Sequence, residues 1–112
     1  MRLQDSSAKR PEIKEKRRGV RLNSRVPVMI EWEGAAGENL HDQAFTRVLN
    51  AYGCLVVLPQ NLPVKQPISL MNLATKHANS AVVVWKGNCL PDGWELGIEL
   101  TKPPFDFWGV EL

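Results

Sequence analysis

Short apolar alternations of period two, broken by Gly, Pro and Asn clusters, run through most of this chain. Val26, Val28 and Ile30 alternate with Pro27, Met29 and Glu31. That period belongs to a strand with one face buried. Pro27 cannot donate to a ladder and so suits a strand start or an edge. Residues 34–39, Gly-Ala-Ala-Gly-Glu-Asn, read as a loop. Residues 40–50 predict a second strand, with Ala44, Thr46 and Val48 on one face and Phe45, Arg47 and Leu49 on the other. Cys54–Leu58 predicts a short apolar strand after Gly53, and Ile68–Leu73 another after a turn with three prolines. Residues 74–80 read as a polar turn, and Ala81–Trp85 as a strongly β-prone run. Pro91-Asp92-Gly93 predicts a turn, with Pro presetting φ and Gly accepting φ > 0. Trp94–Leu100 predicts the last strand.

About six short strands without a helical stripe predict an all-β chain. Closure into a small six-stranded antiparallel β-barrel or a sandwich removes the edges that such strands would otherwise expose. The length of 112 residues suits one domain, and 44% hydrophobic residues suffice for a modest core. The aromatic segment Phe105-Asp106-Phe107-Trp108 is expected to pack back on the body, since its exposure would leave an apolar patch.

Charge divides the chain. Residues 1–25 hold nine Lys/Arg against three Asp/Glu, and residues 26–112 hold five against nine. Residues 1–18 are expected to form a flexible, disordered basic arm, and residues 19–112 the barrel domain. No segment has the length of a membrane span, and the N-terminal charges are not followed by an apolar core, so a cytoplasmic protein is expected. Cys54 and Cys89 are expected to be buried free thiols, and with His41 and His77 they do not suggest a zinc site. No acid or nucleophile stands in local register with either histidine, and no hydrolase motif is present, so an enzyme is not expected.

Arg21 and Arg25 stand four apart just before Val26-Pro27-Val28. A guanidinium is a planar fork of donors that suits phosphates and guanine edges and stacks on flat rings. This R-x-x-x-R with its following strand resembles the opening of a PilZ domain, the bacterial receptor module for cyclic di-GMP. Gly53-Cys54-Leu55-Val56 is similar to the strand that follows the family's second motif, D/N-x-S-x-x-G, and Gly97-Ile98-Glu99-Leu100 to its last barrel strand. The resemblance covers roughly residues 17–101. It implies a six-stranded barrel, no cofactor, cyclic di-GMP as candidate ligand, and Arg21, Arg25, Asn50 and Gly53 as ligand residues. Asn50 stands at the serine place and Val48 at the Asp/Asn place. Val48 cannot accept a hydrogen bond from guanine, which costs about 1–3 kcal/mol in a buried site. Weakened or lost binding is therefore expected. A degenerate barrel would serve as a protein-interaction module. The alternative is a small β-barrel nucleic-acid binder with a basic arm; the acidic body and the lack of alternating aromatics on one strand argue against it.

Overall fold

The computed structural model describes residues 23–104 and 106–109. The expected arm, residues 1–18, and Arg21 lie outside them. The described residues are all-β, with β1 at Pro27–Glu33, β2 at Asn39–Asn50, β3 at Gly53–Leu58, β4 at Pro67–Asn72, β5 at His77–Leu90 and β6 at Gly93–Leu100. All pairings are antiparallel, and the order β1-β2-β3-β6-β5-β4 closes through the β1–β4 pair. The expected six-stranded antiparallel barrel is thus the fold.

Alternation explains the core. Val28 and Ile30, Val56 and Leu58, Ile68 and Leu70, Ala81 and Val83, and Leu96, Ile98 and Leu100 all point into the barrel. Pro27 and Pro67 each stand first in their strand, where a missing N–H is tolerated. Pro91-Asp92 turns the chain into Gly93, whose φ is 145°.

Three details differ from the expectation. Residues 77–80 are strand, not turn: Leu70 to Asn72 pair with Asn79 to His77, so β4 recruits these polar residues by register. The face pattern of β2 changes partway. Thr46 opposes Val56 and Val48 opposes Leu55, which makes Arg47 the extra residue of a β-bulge. Ala44 and Thr46 are buried before the bulge and Leu49 after it, so Val48 leaves the core face. Cys54 is a buried free thiol as expected, but Cys89 is exposed, beyond a second register shift in β5.

Of the C-terminal aromatics, Phe107 and Trp108 pack back as expected, and Phe105 lies outside the described residues. Phe107 and Trp108 are buried and meet edge to face, with centroids 4.9 Å apart. Buried Asn72 holds this segment: its Nδ2 donates to the Phe107 carbonyl at 2.9 Å, and its Oδ1 accepts from the Ala74 amide at 2.9 Å.

Candidate functional site

The segment before β1 is tied to β2 by one buried hydroxyl. The Val26 amide donates to Thr46 Oγ1 at 2.9 Å, and Thr46 Oγ1 donates to the Ser24 carbonyl. This places Arg25, between them, over the ring of Phe45, with its guanidinium carbon 4.3 Å from the centroid. Phe45 is exposed on the outer face of β2. A cation on an aromatic face gains electrostatically from the ring quadrupole. Around this pair lies a cleft of about 590 Å³, lined also by Arg47, Val57, Pro59 and Asp92. Arg47 reaches Asp92 Oδ2 at 3.5 Å.

A second cleft, of about 480 Å³, adjoins along the same two strands. Val48, Asn50 and Tyr52 line one side, Gly53 and Leu55 the middle, and Trp85 and Glu99 the other. Register accounts for the grouping: Val48, Leu55, Gly97 and Trp85 are successive cross-strand partners over β2, β3, β6 and β5. Trp85 is 49% exposed, and its ring has a seat made by two glycines. A Cβ on Gly97 would stand 3.1 Å from the Trp85 Cβ, and one on Gly87 would stand 2.3 Å from its Cη2.

Asn50 and Gly53 therefore share one cleft, and Arg25 lies in the other. Asn50 Oδ1 accepts from the Tyr52 amide at 2.8 Å and from the Gly53 amide at 3.0 Å. Both lone pairs of that oxygen are thus engaged by its own turn, leaving only the NH2 as a donor toward a ligand. Gly53 is explained by close approach. A Cβ there would stand 1.9 Å from the Ile98 carbonyl oxygen, across the β3–β6 pair. Its backbone φ is not positive, so the glycine serves strand pairing.

Arg47 and Trp85 were not among the residues expected at a site. Arg47 reads as an ordinary outward strand position, and its setting depends on the bulge and on Asp92 from a distant turn. The seat of Trp85 depends on a glycine opposite it in register, which no local spacing reveals. Burial pushes the Cys54 thiol up to about 12, so it lines the second cleft as a neutral, apolar group. Among the described residues, no three His, Cys, Asp or Glu side chains gather into a set that could hold a metal ion. No described helix is long and apolar enough to cross a membrane. No protein-family model matches this chain, and neither a curated protein nor a solved structure matches it significantly.

Proposed function

We propose that this chain is a PilZ-like signalling domain that has kept a phosphate-binding arginine and lost its means of reading guanine. It works without catalysis, by presenting the outer face of β2 and β3 to a ligand or a partner protein. The observation that carries this reading is the division of the outer face into two adjoining clefts. The Arg25–Phe45 pair lies in one, and the Asn50–Gly53 turn in the other. A cyclic dinucleotide on this face would have its phosphates at the arginine and a base over the turn.

The turn is poorly equipped for that base. Val48 offers no acceptor, and both lone pairs of Asn50 Oδ1 are engaged by backbone amides. An unpaired guanine edge costs about 1–3 kcal/mol in a desolvated site. Cyclic di-GMP should accordingly bind weakly or not at all, and the partner-binding role dominates. The apolar row around Trp85 supports that role, since exposed aromatics held rigid give contact area at low entropic cost.

Calorimetric titration of the full chain with cyclic di-GMP, with Arg21→Ala and Arg25→Ala alongside, tests the reading. Weak binding that either substitution lowers about ten-fold or more supports it, since a lost charge-assisted bond costs about 1.5–3 kcal/mol. Binding that both variants retain unchanged would reduce the arginines to a solvated linker.

A further inference from the structure

We infer that Arg47 is a second anion-binding residue of the Arg25 cleft and that Asp92 is its built-in competitor. The inference rests on the reading of that cleft as a phosphate site and adds a residue and a control to it.

Arg47 is the extra residue of the β2 bulge, and it lines the same cleft as Arg25 and Phe45. Its guanidinium faces one carboxylate, Asp92, at 3.5 Å. Asp92 belongs to the turn between β5 and β6, which is distant in sequence. The two side chains are 49% and 67% exposed. A solvated pair of this kind holds together weakly, so a better anion can displace the carboxylate. A phosphate oxygen pair suits the guanidinium fork and carries more charge than Asp92.

Arg25 behaves differently. Its guanidinium carbon already lies over the Phe45 ring, 4.3 Å from the centroid, and the residue is exposed. The apolar residues Val57 and Pro59 complete the wall. Two guanidiniums, an aromatic ring and an apolar wall suit a phosphate-bearing small molecule with a flat ring. In the absence of ligand, Asp92 neutralises Arg47. On binding, the phosphate takes Arg47, and the β5–β6 turn is released from β2. Occupancy would thus be transmitted to the turn carrying Pro91-Asp92-Gly93.

The experiment is an NMR titration of the full chain with sodium pyrophosphate at fixed chloride concentration. It includes the parent, Arg47→Gln, Asp92→Asn and Glu33→Gln. The last removes the same charge from an exposed site at the end of β1 and controls for net charge. All three altered positions are exposed, so folding is preserved. Asp92→Asn should bind at least three-fold more tightly than the parent, Arg47→Gln at least five-fold more weakly, and Glu33→Gln about as the parent. Amide shifts should reach Asp92 and Gly93 of the turn. The inference falls if Asp92→Asn does not bind pyrophosphate, if its gain is matched by Glu33→Gln, or if Arg47→Gln binds as the parent does. A parallel titration with cyclic di-GMP separates the two claims. Pyrophosphate binding without any cyclic di-GMP response would remove the nucleotide reading and leave this one. Cyclic di-GMP binding that ignores Arg47 and Asp92 would do the reverse.

Discussion

Trp108 donates its indole N–H to the backbone carbonyl of Asn50 at 2.8 Å. The C-terminal segment thereby holds the β2–β3 turn from one side, while the Asn50 side chain holds it from the other through the Tyr52 and Gly53 amides. A turn fixed at both ends is a rigid support for the cleft that it borders. Among the described residues, two of the longest-range side-chain bonds, from Trp108 and from Asn72, join the C-terminal segment to the barrel.

Removal of this support should be costly. Trp108→Ala leaves a cavity beside Phe107 and frees the Asn50 carbonyl, and should lose about 3–5 kcal/mol. Trp108→Phe keeps most of the packing and should lose about 1–3 kcal/mol for the bond alone. Urea denaturation of both variants checks the order. Parental stability in Trp108→Phe would mean that the indole N–H contributes nothing.

Two glycines should respond differently to the same substitution. Gly53→Ala drives a Cβ into the Ile98 carbonyl, which is backbone and cannot move without separating β3 from β6. It should cost at least about 1–3 kcal/mol. Gly87→Ala meets the far end of the Trp85 ring and the Glu95 carboxylate, both of them side chains that can move. It should cost under about 1 kcal/mol and yet change the tryptophan emission spectrum, because the ring leaves its seat. Melting curves with fluorescence on each variant separate the two effects.

The cysteines make a prediction about pH. Cys89 is exposed and should react with a thiol reagent in the native state, whereas buried Cys54 should react only on unfolding. Burial raises the Cys54 pKa from 9.0 to about 12. The folded chain therefore keeps this proton where the unfolded chain loses it. The contribution is intact below about pH 9, and stability falls as the pH rises from there toward 12. Cys54→Ala should flatten that part of the stability profile.

Most of the barrel was legible because its strands have one buried face, and burial writes a period of two into the residues. Pro27, Gly93 and the Val28–Ile30 alternation each carry a local physical reason. What was not legible depended on partners. The 77–80 segment is polar and becomes strand only because β4 pairs with it. The bulge at Arg47 adds one residue and reverses the faces of β2, and nothing in the local composition marks it. The arginine and the Asn50–Gly53 motif could be read as one site, but Arg25 lines one cleft and the motif another, because the Thr46 hydroxyl holds the segment of Arg25 beside Phe45. Asn50 could be read as both donor and acceptor, and its own turn uses the acceptor.

Because of the bulge, Val48 lines the outer cleft beside Asn50 and is not part of the buried core. A carboxylate there would not be buried in the barrel, so Val48→Asp should fold. Calorimetric titration of cyclic di-GMP into the parent and into Val48→Asp, at one salt concentration and with a melting curve on each, is the most direct test. The expected result is weak or undetectable binding by the parent and binding tighter by roughly ten- to a hundred-fold in the variant, the value of about 1–3 kcal/mol for a restored acceptor. Tight binding by the parent, or a folded variant that binds no better, would contradict it.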